Sequence, residues 1–391
     1  MDIVILIVGI ALFISLIVVH EFGHFIVAMR NGVAVEEFAI FFGPTIYQRK
    51  TKKGWIFRFN VLPLGGYVKL KGEHDTDVEP GSYGAATLWV KTKIMAAGVF
   101  SNLIAGLAIL TLLALIGLPQ IIPNQFTVKS NQHVIKNATT IVQVGGVVAN
   151  SPASRAGLKD NDNITSIGTK NDLKKITSVD SLQSVTKEFA GQKVLIDFTR
   201  NNKKLQTSTT LNSAKEVSTS KQKVYLGVSI GSYSSGVTLV RYNWASPLVA
   251  VGLTKQIIVL SYQGLGHAIK GLGGIVAGTA TGNHAARTNA QTSASNQVVG
   301  PVGIFVILKD GSAVGIQFML FIIALISLTL AIMNILPIPA LDGGRLWLTL
   351  ISRAFKRPLT ANTEELVNAI GMLVLLALVG LITYVDIKRF F

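Results

Sequence analysis

The sequence predicts a polytopic α-helical membrane protein with four transmembrane helices, a membrane-associated β-hairpin and an inserted, mainly β extracytoplasmic domain. Composition is the first sign. Hydrophobic residues make up 49% of the 391 residues and charged residues only 14%, whereas soluble proteins carry about 25% charge. Four apolar stretches are each near or above the roughly 18–20 residues that cross a bilayer as a helix. A long polar segment with short apolar runs separates the second stretch from the third.

The apolar stretches define the predicted membrane core. They run from Ile3 to Val19 and on to about Ala28, from Ile94 to Leu118, from Ile316 to Leu336, and from Leu366 to Val385. The first stretch is predicted to be a retained helix and not a signal peptide, because it lacks a basic beginning and a small-residue cleavage site. Buried core helices are the alternative, but four of this length in one chain disfavour it.

Lysine and arginine predict the orientation. They cluster between the first and second stretches and again between the third and fourth, so both loops are predicted to be cytoplasmic. The N-terminus and the segment from about Pro119 to Ala313 are then outside, although Lys388 and Arg389 also fall outside, against the rule. The net charge of +16 suits contact with anionic membrane lipid better than nucleic acid, since no basic run with interleaved aromatics occurs. No cysteine is present, which excludes disulfides and thiolate metal sites.

The outer segment contains a stretch that resembles a PDZ domain. Strands are predicted at 141–144 and 194–198. Between them, the stretch from Ser151 to Leu158 and the acidic turn that follows resemble PDZ domains of bacterial proteases, and the resemblance implies a short helix in this stretch. The resemblance implies binding of an extended peptide or a peptide C-terminus at a sheet edge, and a small β-domain without a ligand is the alternative. The predicted division is 1–118 for the first membrane half, 139–226 for the PDZ domain, 227–312 for the connecting region and 313–391 for the second membrane half.

The connecting region holds two predicted features. Residues 246–278 are apolar and glycine-rich but carry Lys255, His267 and Lys270. They favour an interfacial amphipathic helix over a fifth span, because an odd span would break the loop assignment. Residues 282–297, rich in Asn, Thr, Ser and Ala, predict a flexible loop.

The strongest chemical signal is His20-Glu21-Phe22-Gly23-His24, an H-E-x-x-H motif. On a helix the two histidines lie on one face and can bind one Zn²⁺, with Glu21 placed as general base for the attacking water. The motif ends a transmembrane stretch, where ionisable residues are costly and point to function. A polar cluster that only satisfies itself is the alternative.

Zinc needs a third protein ligand, and Asp342 is the best candidate. It follows the third apolar stretch at its cytoplasmic end, and the H-E-x-x-H motif lies at the cytoplasmic end of the first. The predicted topology therefore puts both at similar depth. Prolines before Asp342 end the helix, and glycines after it allow the chain to turn. The remaining histidines, which fall in loops or outside, are His74, His133, His267 and His284.

Both metal motifs together resemble the site-2 protease family, in its bacterial form with an inserted PDZ domain. His20, Glu21 and His24 match the family's H-E-x-x-H, and the stretch from Asn334 to Gly343 matches its N-x-x-P-x-P-x-L-D-G pattern. Further matches, with Val99 at a position where proline is common, are Phe42-Gly43-Pro44, Pro63 to Lys69, Gly98, Asn102 and Gly300 to Gly303.

The resemblance implies a zinc metalloprotease of the bacterial cytoplasmic membrane that cuts single-span membrane proteins within or beside their spans. Relatives cut anti-sigma factors, signal-peptide remnants or pheromone precursors, and the sequence does not choose among these. Asn102 or Asn334 could donate to the developing oxyanion, or could only join helices. The region 56–70, with Gly65, Gly66 and Tyr67, predicts a β-hairpin that could hold an unwound substrate strand or could simply close the cytoplasmic face.

Other classes remain open at this level. A transporter could use the intramembrane His and Asp as an ion path, but it does not predict H-E-x-x-H paired with a distant aspartate. A membrane scaffold could bind partners through the PDZ domain, but it does not require Glu21. The PDZ domain itself could bind a peptide C-terminus or act as a bulk barrier to substrates that still carry an outer domain.

Overall fold

The chain forms two compact units. The computed structural model describes residues 2–73, 77–136, 139–200, 203–219, 224–235, 237–281, 300–355 and 360–390. One unit comprises residues 1–133 and 240–391, and the other comprises residues 134–239. The predicted loop at 282–297, together with His74 and His284, lies outside the described residues.

Helices dominate the first unit and are short in the second. In chain order the described residues form α1 (Asp2–Arg30), α2 (Leu88–Ile116), α3 (Pro152–Arg155), α4 (Val179–Glu188), α5 (Ala214–Thr219), α6 (Ser246–Ala280), α7 (Pro301–Val314), α8 (Ile316–Ile335), α9 (Asp342–Ala354) and α10 (Ala361–Phe390).

The described residues also form eleven strands. They are β1 (Val35–Lys50), β2 (Ile56–Leu70), β3 (Leu118–Pro119), β4 (His133–Lys136), β5 (Thr139–Val147), β6 (Asn163–Thr169), β7 (Asp172–Lys175), β8 (Lys193–Arg200), β9 (Lys203–Thr210), β10 (Val228–Ser235) and β11 (Leu239–Arg241). A 3₁₀ turn spans Lys129–Asn131.

Five helices of the described chain are long and apolar enough to cross a membrane: Ile3–Arg30, Leu88–Ile116, Ser246–Gly271, Ile316–Ile335 and Ala361–Lys388. Four of them overlap the four predicted stretches, two of which run one or two residues past the end of the helix. The fifth lies in α6, so the predicted count of four is not confirmed.

The first half of α6 is part of the helical core, which the sequence pattern did not indicate. Val249, Leu253 and Ile257 are buried in one apolar cluster. They pack there with side chains of α2 and α8, such as Leu113 and Phe321. Lys255 is exposed and therefore does not interrupt this buried face. The charged residues that favoured an interfacial helix thus lie on the exposed face of α6.

Strands β1 and β2 form the sheet that the sequence assigned to a hairpin within 56–70. That assignment was wrong in extent, because residues 56–70 form a single strand that pairs antiparallel with Val35–Lys50. The register shifts along the pair, so residues 37–40 lie between residues 56–59 on one side and residues 66–70 on the other. Residues 66–70, here called the edge segment, are thus paired through residues 35–40 in the described chain.

The second unit is a six-stranded antiparallel sheet of order β10-β5-β6-β8-β9, with β7 paired to β6. The strands predicted at 141–144 and 194–198 and the short helix after Ser151 occur as β5, β8 and α3. Alternating residues of these strands, such as Val142, Val144 and Ile196, are fully buried in one core. The unit extends beyond the predicted 139–226 because β10 pairs with β5.

Candidate metal centre

The H-E-x-x-H residues lie in the last third of α1, within an apolar helix. His20 and His24 are 9% and 6% exposed. Their rings meet edge to face with centroids 4.9 Å apart. Their spacing of four residues brings both to one helix face, and this face contacts α2.

α2 approaches the two imidazoles closely because Gly98 has no side chain. A Cβ atom at Gly98 would lie 2.4 Å from Nε2 of His24 and 2.6 Å from Nε2 of His20. On α1, a Cβ atom at Gly23 would likewise lie 2.2 Å from the hydroxyl of Ser101. Glycine at both positions therefore permits the contact between the helices that carries the site.

Asp342 reaches the same place from the other end of the chain. It is the first residue of α9, after a tight turn that follows α8. Ala340 in that turn has a φ of 71°, and Cβ atoms at Gly343 and Gly344 would lie about 2 Å from backbone carbonyl oxygens of the turn. The glycines let α9 start directly against the end of α8, as the sequence suggested, and this points the Asp342 carboxylate at the histidines.

Three ligand atoms converge in this arrangement. Oδ2 of Asp342 lies 2.9 Å from Nε2 of His20 and 3.1 Å from Nε2 of His24. The two Nε2 atoms are 3.3 Å apart. Among the described residues, these three are the group of histidine and acidic side chains placed to hold a metal ion.

The cluster fits a tetrahedral zinc ion. Ligand bonds of about 2.0–2.1 Å place neighbouring ligand atoms about 3.3–3.4 Å apart, which is the separation of the two imidazole nitrogens. Nδ1 of His24 lies 2.7 Å from the carbonyl oxygen of Ile94 and must donate to it. In a neutral ring, Nε2 of His24 then carries a lone pair. The lone pair on Nε2 of His24 faces the Asp342 carboxylate, so both groups can coordinate the same metal ion.

Glu21 lies beside this cluster, half-buried. It lines a cavity of about 300 Å³ that also reaches His24, Asp342 and the edge segment. The backbone N–H of Val68 lies within hydrogen-bonding reach of its carboxylate. A Cβ atom at Gly66 would be 3.2 Å from Glu21 Cγ, so glycine lets the edge segment approach the carboxylate.

The other predicted site residues take different positions. Gly66 and Tyr67 line the cavity, whereas Gly65 packs against the ring of Phe42. The Asn102 amide nitrogen lies 3.3 Å from Nδ1 of His20. Asn334 is half-buried in the last turn of α8. His133 and His267 are exposed and do not join the cluster.

A network around Arg345 was not anticipated from the sequence. Its guanidinium contacts the carboxylate of Glu364 at 3.0 Å and that of Glu73 at 3.3 Å. It also donates to the backbone oxygen of Glu73 at 2.6 Å and lies over the Tyr83 ring. Burial lowers the pKa of Arg345, but Tyr83, Glu73 and Glu364 raise it more, so it stays above its usual value.

This network fixes the turn that carries Asp342. Glu73 also accepts from the backbone N–H of Leu70, the last residue of β2. Arg345 thereby joins the start of α9 to the end of the edge segment and to the start of α10. The sequence shows an arginine three residues after Asp342. It does not show the acidic partners of that arginine, because they lie 272 and 19 residues away along the chain.

Known proteins similar to this chain are proteases by name, and several of them are named zinc metalloproteases. The model of peptidase family M50 matches residues 8–378. A Clostridium perfringens protein with a zinc metalloprotease name is 30% identical over 381 residues, covering 96% of both chains. The regulator of sigma-W protease RasP of Bacillus subtilis is 26% identical over 468 residues, covering 98% of both chains. The zinc metalloprotease RasP of Shouchella clausii is 25% identical, with 98% coverage of both.

Proposed function

The chain belongs to peptidase family M50, the site-2 protease family of zinc metalloproteases, and from that premise we propose that it hydrolyses membrane proteins within or beside their transmembrane segments. The observation that carries the proposal is the convergence of His20, His24 and Asp342 on one point inside an apolar helical unit. A soluble metalloprotease has no reason to build its metal site on a helix long and apolar enough to span a membrane.

His20, His24 and Asp342 are the residues that would hold zinc. When bound there, zinc supplies a Lewis acid that polarises the scissile carbonyl and activates water. Glu21 lies next to the ligands and lines the same cavity, so we assign it as general base. It takes a proton from the attacking water and passes it to the leaving amine.

A helical substrate must be unwound before it is cut, because its peptide bonds are hidden in its own hydrogen bonds. We propose that the unwound substrate strand binds along the edge segment. Its residues Gly66, Tyr67, Val68 and Leu70 line the cavity that reaches Glu21. A strand added to that edge would gain backbone hydrogen bonds without regard to its side chains.

We further propose that four helices cross the membrane: α1, α2, α8 and α10. His20 lies towards the C-terminal end of α1, and Asp342 follows the C-terminal end of α8 after a turn. Because the two residues meet, α1 and α8 run in the same direction. α2 returns the chain to the outer side. A complete crossing by α6 alone would start α8 on the wrong side. The N-terminus is then extracytoplasmic and the metal centre lies towards the cytoplasm of a bacterial cell.

The unit at 134–239 is proposed to be an extracytoplasmic PDZ domain. Its short helix after Ser151 and its antiparallel strands support this. It would bind a newly formed peptide C-terminus or exclude substrates that keep a bulky outer domain. The partners of the protein are accordingly single-span membrane proteins and the surrounding lipid.

The test is to map where the enzyme cuts. The purified full chain, in detergent and with zinc, is incubated with a single-span model protein, and the products are identified by mass spectrometry. We expect cleavage within or directly beside the span, and inhibition by a zinc chelator that added zinc reverses. Cleavage confined to soluble segments, or equal cleavage of an unfolded soluble protein, would contradict the proposal.

A further inference from the structure

Asn102 lies behind one of the two imidazoles assigned to zinc. It is on α2, it is 1% exposed, and its amide is 3.3 Å from Nδ1 of His20. We propose that Asn102 is a positioning residue whose amide oxygen accepts a hydrogen bond from His20 Nδ1, which leaves Nε2 of that ring free to bind zinc. The inference rests on the proposed function, since it concerns a ligand of the same metal.

His24 provides the standard for comparison. Its Nδ1 lies 2.7 Å from the carbonyl oxygen of Ile94, and a carbonyl oxygen can only accept. The hydrogen is therefore on Nδ1, and Nε2 bears the lone pair. Donation from the remote ring nitrogen to an oxygen is what fixes the tautomer and the orientation of metal-binding histidines.

His20 needs the same arrangement. Its Nε2 faces the same oxygen of Asp342, at 2.9 Å, so its Nδ1 must also carry the hydrogen if Nε2 is to bind zinc. The group beside Nδ1 is the Asn102 side chain, and an amide nitrogen cannot accept this hydrogen. Only the amide oxygen can.

The state of the Asn102 amide supports this role. With its nitrogen towards His20, the buried oxygen Oδ1 has no hydrogen-bond partner within the described part of the chain. A half-turn about the Cβ–Cγ bond exchanges the two amide atoms and brings the oxygen to Nδ1. That orientation gives both the oxygen and the ring N–H a partner, and unpaired buried polar atoms are disfavoured.

The backbone of α2 holds Asn102 in this position. Ile94, Gly98 and Asn102 are spaced by four residues and share one helix face. Gly98 brings that face against both rings. The hydroxyl of Ser327 on α8 donates to the backbone oxygen of Asn102 at 2.7 Å. One face of α2 therefore sets the orientation of both imidazoles.

This role differs from the oxyanion contact that the sequence left open for Asn102. The amide faces the ring nitrogen remote from Asp342. Asn102 is also absent from the described residues that line the cavity beside Glu21. An oxyanion role would require the amide nitrogen as donor, whereas the positioning role requires the amide oxygen as acceptor.

The zinc affinity of full-length variants distinguishes the positioning role from the oxyanion role. Asn102→Leu keeps the branched shape but removes the acceptor, and we expect zinc affinity to fall about 10–100-fold, as for loss of other outer-shell partners. Asn102→Asp keeps an acceptor and removes the donor, and we expect it to recover most of that affinity. Thr111→Val is the control, since it removes a half-buried hydroxyl of the same helix that bonds the Leu107 backbone oxygen and not Asn102. Affinity is measured by chelator competition, with thermal unfolding recorded for each variant.

Three results would overturn the inference. One is Asn102→Leu binding zinc like wild type, another is Asn102→Asp binding as weakly as Asn102→Leu, and the third is Thr111→Val losing as much affinity as Asn102→Leu. If leucine prevents folding, Asn102→Ala takes its place. A wild type that holds no zinc would instead contradict the proposed function, so the two failures are distinguishable.

Discussion

Nε2 of His20 and Oδ2 of Asp342 lie 2.9 Å apart although 322 residues separate them along the chain. The contact joins α1 to the first residue of α9. Neither helix fixes it alone, because α2 orients the histidines and Arg345 fastens the turn that carries Asp342. The metal centre therefore depends on the packing of helices from both halves of the membrane core.

Asp342→Ala removes the third of the proposed zinc ligands in sequence order. We expect zinc affinity to fall by more than the about 10–100-fold that loss of an outer-shell partner costs, and cleavage to fall with it. Zinc per chain after dialysis measures the effect. Asp310→Ala, an exposed aspartate on α7, is the control and should keep its zinc. Zinc retained by Asp342→Ala would remove Asp342 from the ligand set.

Gly98→Ala places a methyl group where the two Nε2 atoms lie. A Cβ atom there would be 2.4 Å from Nε2 of His24, closer than any real contact, so we expect zinc binding to be lost or the α1–α2 contact to open. The control is Gly106→Ala on the same helix, whose Cβ would meet the buried side chain of Leu328 at 2.8 Å. That variant should lose stability but keep its zinc. Equal zinc binding in both variants would contradict the close approach.

Arg345→Lys keeps the charge but loses the forked donor. A lysine cannot bond Glu364 and the backbone oxygen of Glu73 in the same geometry, so the turn before α9 should loosen. We expect lower thermal stability by about 1–3 kcal/mol and weaker zinc binding. Arg353→Lys, an exposed site on the same helix, is the matched control. A melting temperature for Arg345→Lys equal to that of the control would show that the network is not holding the turn.

The sequence could predict those site residues that belong to short local motifs. H-E-x-x-H fixes two ligands by helical spacing, and the prolines and glycines around Asp342 indicate a turn at the end of an apolar helix. Asp342 was predicted because both motifs end apolar stretches with the same orientation. No longer-range information was needed for these residues.

The rest depends on packing that a sequence does not display. The pairing of β2 with Val35–Lys50 needs the register between two strands, and the burial of Val249 and Leu253 needs the neighbours of α6. Asn102 could be named as a polar residue on α2, but the ring that it faces follows only from how α2 lies on α1. The fifth apolar helix was interpreted as interfacial because charges such as Lys255 interrupt it and because an odd span would break the loop assignment, and Lys255 lies outside its buried face.

Asp162 makes the second unit sensitive to acid. Its side chain is fully buried and its carboxylate contacts Arg200 at 2.6 Å, with a further bond from the Lys159 N–H. Burial raises the pKa of Asp162, but Arg200 and Lys159 lower it more, so it lies below its ordinary value. A lowered folded-state pKa adds stability above the unfolded value of about 3.9 and loses it as the pH falls.

We therefore expect Asp162→Asn to destabilise this unit by about 1–3 kcal/mol at neutral pH, since it weakens the charge-assisted hydrogen bonds from Arg200 and from the Lys159 N–H. The variant should also lack part of the loss of stability that wild type shows below about pH 4. Amide exchange protection in β5, β6 and β8 reports it within the full chain. Asp160→Asn, on the exposed side of the same turn, should behave like wild type. Identical protection in both variants would show that the ion pair contributes nothing.

The most direct test of the central claim compares wild type with Glu21→Gln, measuring zinc content and cleavage of a single-span substrate in parallel. Glutamine keeps the shape of Glu21 but cannot take the proton from water. The account predicts one zinc per chain in both proteins and a loss of cleavage of about 10²–10⁴-fold in the variant. A wild type that holds no zinc, or a variant that cleaves like wild type, would contradict it.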